Sequence, residues 1–465
     1  MKKEQNPVSL CIFEDIKYPD LFPLSLNKAV FELFLGTDSL RARIIKELNP
    51  ERVILQCRPY LAAVFNEQLS QEKPEYDVTI NEIPGGDVFF VNGRIVAFGS
   101  EMVDLFNNVK KDHLLVKNGI PVATRISDKK AISFMELLIE IVNDKKTTAL
   151  FNNIKKISEN DKSSDPIDWT KYTDNGELLK NWIVENNITL EETNQKLISR
   201  CWQLIGLNSE CIKDDFSKIP LRGNDPDSEL YKGVKLINDD DIVIGSEVVV
   251  RSGTVLDATD GPILIDDIVK IEPNAVIKGP CFIGRKSVIR AGAKIGAGTS
   301  LGKECRVGGK VDETIIAPYS NKQHEGFIGH SYIGSWVNIG AGTCNSNLRN
   351  NYSKIKAWNA GVMRETGRRF LGTVIGDHSK IAINTKINPG TVIGFNSNIV
   401  TSEFPPKFLP SFTWAFEPES IEFDLDKAIE TAELMMDRRD LPMTKAGKQL
   451  FKEIFRQCKQ SGHTV

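Results

Sequence analysis

An aliphatic residue recurs every six positions along one stretch of this chain: Ile265, Ile271, Ile277, Ile283, Ile289, Ile295, Leu301 and Val307. Four positions after Ile271 and each of its next five partners sits a small residue: Ala275, Cys281, Ser287, Ala293, Thr299 and Cys305. The pattern returns at Ile375, Ile381, Ile387, Ile393 and Ile399, with Ser379, Thr385, Thr391 and Ser397 in the small slots. A helix repeats every 3.6 residues and a strand every 2, so six fits neither alone. It fits a chain that makes a short flat strand, turns and repeats, so that each aliphatic residue stacks on its equivalent in the next coil. The neighbouring slot is small because the coil interior is narrow there. Each coil buries its face only against adjacent coils, a quasi-one-dimensional stack. The expectation is a left-handed parallel β-helix of hexapeptide repeats.

At 465 residues the chain is long enough for two or three domains, at about 150 residues each. With 41% hydrophobic residues it can build real cores. A net charge of −3 gives no reason to expect nucleic acid or an anionic membrane as partner. No apolar run approaches the ~20 residues that span a bilayer, and the apolar stretch after Met1 is too short for a signal peptide. The eight cysteines form no CxxC pair, which suits free thiols in a reducing compartment. The expected location is the cytoplasm.

Residues 1–225 alternate strand-like and helix-like stretches and are expected to form an α/β domain with a connector and helices. Ser9–Phe13 and Arg52–Gln56 read as buried strands. Thr37–Leu48, Leu61–Leu69 and Ala131–Asn143 read as helices, the first stopped by Asn49-Pro50. Asp87–Phe98 reads as two strands around an Asn92-Gly93 hairpin turn. Residues 144–165 read as a connector and Leu190–Leu207 as a helix. The β-helix is expected over residues 236–402, opened by an out-of-register set, Ile244, Val250 and Leu256. It is broken at residues 311–327 and 345–371, and breaks in a regular solenoid are loops that carry function. Residues 403–465 form a helical extension, with amphipathic stretches at Leu425–Met436 and Thr444–Phe455 expected to pack on the β-helix or a neighbouring subunit.

The first break holds Ser320-Asn-Lys322-Gln-His324, followed by Asn338-Ile-Gly-Ala341-Gly-Thr343. These residues resemble the acetyltransferase half of the bacterial bifunctional UDP-N-acetylglucosamine pyrophosphorylase/glucosamine-1-phosphate N-acetyltransferase family. That family has a Ser-Lys-x-x-His loop, with an Asn-Ile-Gly-Ala-Gly-Thr repeat fourteen residues on; here the lysine is shifted by one. A divergent form of the family is closer still, through Val307-Gly-Gly, Tyr319-Ser-Asn-Lys-Gln-His, Gly376-Asp-His-Ser-Lys, Phe408-Leu-Pro-Ser-Phe-Thr-Trp and Arg438-Arg439. Acetyl transfer needs an amine that loses its proton as it attacks, and a histidine titrating near pH 7 suits that task. The resemblance implies His324 as base, with Lys322, Asn338, Lys354 and Lys356 as sugar-phosphate contacts. It also implies Ala341 and Asn347 along the acetyl-CoA cleft, and a homotrimer whose acetyl sites lie between neighbouring β-helices. The family's two tyrosines here are Phe327 and Leu348, and its phosphate-binding lysine has no aligned partner, although Lys310 lies close. No two of His324, His330 and His378 stand five apart, as in zinc β-helix carbonic anhydrases, so no metal is expected in this half. His330 and His378 read as exposed turn residues, and Cys344 as packing.

In the resembling enzymes the first domain joins UTP to the sugar phosphate with Mg²⁺. Its phosphate-binding loop is glycine-rich, or Pro-Leu-Thr-x-x-Arg-Pro with a second arginine in the divergent form. This chain reads Pro23-Leu-Ser25-Leu-Asn-Lys28-Ala29, with Phe34 at the second arginine's position, while Asn92-Gly-Arg94 matches a later family motif. Lys28 restores charge but not the bidentate fork of arginine. By resemblance, Lys28 and Arg94 are the candidate nucleotide contacts. Two alternatives stand beside this reading: a nucleotidyltransferase for another sugar phosphate, and a non-catalytic regulatory subunit.

Overall fold

The computed structural model describes residues 8–143, 175–219, 227–416 and 420–460; the connector expected at 144–165 lies outside them. The first domain contains β1 (Ser9–Phe13), α1 (Leu40–Leu48), β2 (Arg52–Gln56), α2 (Ala62–Glu72), β3 (Asp77–Ile80), β4 (Asp87–Asn92), α3 (Glu101–Asn108), β5 (His113–Lys117), β6 (Ile120–Ser127), α4 (Asp128–Asn143), α5 (Asn175–Glu185), β7 (Thr189–Glu192) and α6 (Cys201–Ser217). They build one sheet of order β3-β2-β1-β4-β6-β5-β7, with β3, β2, β1 and β4 parallel. Strand β1 is buried throughout and β2 nearly so, because helices and loops cover both faces of the parallel part. Helix α1 is capped by Ser39, whose hydroxyl accepts from Ala42 N, and ends at Asn49 in the left-handed conformation.

Two elements differ from the sequence reading. Asn92-Gly93 is no hairpin: β4 pairs antiparallel with β6, beyond α3, and Asn92 turns its amide inward to Asp15 and the Pro121 carbonyl. The helix expected at Leu190–Leu207 starts at Cys201, because Thr189–Glu192 joins the sheet edge beside β5.

The second half is a left-handed parallel β-helix with three faces. The first face runs through Lys270–Ile271, Val288–Ile289, Arg306–Val307, Asn321–Lys322, Asn338–Ile339 and Lys380–Ile381; the second through Val276–Lys278, Lys294–Ile295, Lys310–Asp312 and Phe327–Gly329; the third through Ile263–Ile265, Cys281–Ile283, Thr299–Leu301, Ile315–Ile316, Tyr332–Ile333, Thr373–Ile375 and Thr391–Ile393. The repeat aliphatics form one continuous core from Ile242 to Ala415, each fully buried side chain contributing about 1.5–3 kcal/mol. Corners are turned by left-handed residues such as Asn274, Lys286, Glu304 and Asn384.

The solenoid extends past the hexads at both ends, from Glu229–Leu230 to Thr413–Phe416. The break expected at 311–327 is not a loop. The coil closes in register there with fewer residues, Val307 pairing with Lys322 and Val311 with Ile328. The interruption at 345–371 is real and carries an antiparallel hairpin, Lys356–Asn359 with Val362–Glu365.

The third face is covered by the first domain. Its outward residues Ile315, Tyr332, Val374 and Val392 share a core with Leu35, Trp202, Leu204 and Ile205. Tail helices α7 (Leu425–Asp437) and α8 (Lys445–Gln460) join Phe395 and Phe412 of the last coils to Phe65 and Leu69 of α2. The tail therefore packs on the β-helix and on its own first domain together.

Candidate functional site

The corner between the first and second faces carries His324. Its ring is exposed and makes no hydrogen bond or ion pair among the described residues. Ala341 occupies the same corner one coil later, where Gly342 N donates to Glu325 O at 2.9 Å and Asn384 N donates to Ala341 O at 2.7 Å. Asn338 stands half-buried on the first face of that coil, in register between Asn321 and Lys380.

Lys322 lies inside the coil. It fills the aliphatic slot between Val307 and Ile339 with its side chain buried. Its ammonium donates to the carbonyl oxygen of His324 and, at 3.4 Å, to that of Gly308. Burial pushes its pKa down, opposed by Cys344 and Glu325. Lys322 thus holds the backbone of the histidine corner and does not face solvent. The signal was legible: Ser320 keeps the small slot two residues earlier, so 322 is a core position held by a lysine.

Asn347 sits at the opposite corner, between the second and third faces. Its Nδ2 lies 2.9 Å from His330 Nδ1, and His330 Nε2 lies 3.1 Å from Glu313. An amide donating to Nδ1 assigns the ring proton to Nε2, directed at Glu313. That hydrogen bond holds the Glu313 carboxyl below its usual range. Lys354 is exposed, and Lys356 pairs across the inserted hairpin with Glu365 at 3.2 Å. So His324, Asn338 and Ala341 gather at one corner, Asn347 lies at the other, and the two lysines lie in the insertion beyond it. Between the corners the second face presents Phe327 and Cys344, with Phe327 N donating to Cys344 Sγ at 3.3 Å.

Three readings of this half are corrected. Cys344 is the exposed thiol among the described cysteines rather than a packing residue. His330 is half-buried against Phe370. His378 is buried beside Trp336, Phe395 and Phe451, and burial carries its pKa well below the usual value.

In the first domain a ligand crevice belongs outside the carboxyl ends of the parallel strands, where the strand order reverses beside β1. Arg94 is buried there against Asp15, Nη2 to Oδ2 at 2.5 Å, and donates to the Ile198 carbonyl at 2.7 Å. Lys28 pairs with Asp377 of the β-helix at 2.7 Å. Both candidate nucleotide contacts are therefore committed within the chain. UTP with Mg²⁺ does not fit these residues as packed: the crevice carboxylates, Glu14 and Asp15, are each held by an arginine. Among the described residues no group of three or more His, Cys, Asp or Glu side chains could hold a metal, and no helix is long and apolar enough to cross a membrane.

The architecture is a nucleotidyltransferase-like α/β domain joined to a hexapeptide-repeat β-helix. Residues 10–222 match the family described as sugar nucleotidyl transferase. A Sulfurisphaera tokodaii protein named bifunctional sugar-1-phosphate nucleotidylyltransferase/acetyltransferase is 34% identical over 162 residues, covering 30% of this chain and 40% of that one. Bifunctional protein GlmU of Wigglesworthia glossinidia brevipalpis is 27% identical over 188 residues, 40% of this chain and 37% of that one. Its Buchnera aphidicola namesake is 22% identical over 408 residues, covering 77% and 87%. The match thus spans about two fifths of the length of the first two relatives. A UDP-N-acetylglucosamine acyltransferase crystal structure aligns with 52% of this chain and 94% of its own at 12% identity, with a TM-score of only 0.23.

Proposed function

We propose that the β-helix half transfers an acetyl group from acetyl-CoA to the amine of an amino-sugar 1-phosphate, glucosamine-1-phosphate. The observation that carries this is the exposed imidazole of His324, unpaired among the described residues, on a corner whose backbone is anchored from inside by Lys322. The sugar amine attacks the thioester carbonyl while His324 takes the amine's proton; the carbon–sulfur bond breaks and CoA leaves as the thiolate. In this reading Asn338, one coil on, holds the sugar, and the strip from Ala341 past Cys344 to Asn347 receives the acetyl-CoA arm. Among the described residues the first domain packs on the third face and the tail's Arg439 reaches Asn321 of the first, which leaves the second face for assembly of a cytoplasmic homotrimer. The names of the relatives, which pair nucleotidyl with acetyl transfer, support the same reading.

A second reading adds uridylyl transfer from UTP with Mg²⁺ in the first domain. The match over residues 10–222 favours it; the closed crevice weighs against it.

The test is acetyl-CoA with glucosamine-1-phosphate, the product followed by mass spectrometry in the parent and in His324→Ala. Loss of a general base lowers the rate about 10²- to 10⁴-fold. Undiminished turnover by His324→Ala would remove the base, and no product from folded parent would remove this sugar.

A further inference from the structure

We propose that the strand-end crevice of the first domain has become an ion-paired strut that docks the β-helix and admits no nucleotide. This inference is independent of the acetyl-transfer reading. A phosphate-binding loop has to present backbone N–H groups and cations to an incoming polyanion. Here the segment in that place, residues 14–39, contains no exposed residue.

The floor is closed from within. Glu14 accepts from Arg58 Nε at 3.0 Å, Arg58 Nη2 at 3.1 Å and Val30 N at 2.9 Å. The same guanidinium donates to the carbonyls of Ser25 and Lys28 and to the Tyr60 hydroxyl, each at 2.6 Å, and lies 4.3 Å from the Tyr18 ring centroid. Beside it Asp15 accepts from Arg94, Asn92 and Lys17 N. All four charged side chains are at most 3% exposed and cancel in pairs. These two pairs offer a triphosphate no net positive charge, and freeing either arginine would strand a buried carboxylate.

The mouth is closed from without. Asn27 and Lys28 both bond to Asp377 Oδ2, at 3.0 and 2.7 Å. The Asp20 carbonyl accepts from Asn359 at 2.6 Å, the Gly36 carbonyl from Ser300 at 2.7 Å, and the Phe34 carbonyl from the Tyr332 hydroxyl at 3.0 Å. All five contacts join the segment to the β-helix or its inserted hairpin. The segment that would cradle phosphate is spent on holding the two halves together.

The test is calorimetric titration of the full chain with UTP and Mg²⁺, with and without N-acetylglucosamine 1-phosphate, and hydrogen exchange of residues 14–39 under the same conditions. The expected result is no saturable heat at ligand concentrations of about 1 mM, and slow exchange that UTP leaves unchanged. Saturable UTP binding, release of pyrophosphate, or fast exchange slowed by UTP would overturn it. Cooperative melting of the same sample shows it to be folded, whether or not it acetylates a sugar.

Discussion

Replacing Lys322 by methionine should separate the position of the histidine corner from the stability of the coil. Methionine keeps an unbranched stem in the slot between Val307 and Ile339, so little packing is lost. It removes the ammonium that donates to the His324 and Gly308 carbonyls. A hydrogen bond from a charged group contributes about 1.5–3 kcal/mol. The buried ammonium also bears a desolvation cost, seen in its lowered pKa, which the substitution relieves. The two effects oppose, so stability should change by less than about 1.5 kcal/mol. The corner has no such compensation. Expressed as misplacement of the imidazole, about 1.5–3 kcal/mol corresponds to an acetyl-transfer rate about 10- to 150-fold lower, since 1.4 kcal/mol is tenfold. Steady-state kinetics should show the fall in kcat, with KM for acetyl-CoA within about twofold, and urea unfolding should report the stability. Parental kcat in a stably folded Lys322→Met protein would refute the anchoring role.

Two further outcomes follow from charges in the fold. Lys28→Ala removes one partner of Asp377, which keeps bonds from Asn27 and Ser335 N; a cost of about 1–2 kcal/mol is expected in urea unfolding, and a change under about 0.3 kcal/mol would mean the ion pair does not brace the halves. Alkaline pH should destabilise the protein. Burial pushes Cys201, Cys211, Cys305 and Cys458 up to about 12, so unfolded thiols ionise from about pH 9 while native ones stay protonated. The native state then holds more protons and stability falls as pH rises, by about 1.4 kcal/mol per thiol per pH unit. Lys17 and Lys380, lowered by burial to about 8, act oppositely between about pH 8 and 10.5, where the unfolded state holds more protons. The thiols outnumber these lysines, so unfolding under reductant should show a net loss between pH 9 and 10.5; a net gain would contradict the balance.

The β-helix was legible because its period is set by neighbours in the chain: each coil repeats the same short strand and the same narrow corner. Lys322 was less so, since a lysine in an aliphatic slot looks like a break until Ser320 is noticed in the small slot before it. The coil there also closes with fewer residues, which shifts the six-residue phase and made an unbroken coil read as a loop. The first domain depends on contacts distant in sequence. Nothing local to Asn92-Gly93 shows that the asparagine amide is held by Asp15, 77 residues away, or that Arg94 is held by the same carboxylate. Lys28 resembles a phosphate ligand until the fold brings Asp377 to it.

The first domain lies along the third face from Leu264, against Ile212, to Val392, in the core shared with Trp202. An open solenoid tolerates gain or loss of a whole repeat, because each repeat answers only to its neighbours. Here the stack is splinted. One coil inserted between Leu264 and Val392 would slide every later contact by about 4.8 Å, drawing Asp377 from Lys28 and the last coils from the α2–α8 clasp. The number of rungs is therefore fixed by a ruler outside the ladder, and length variation in this lineage should collect where the splint does not reach, in the first coils before Val243.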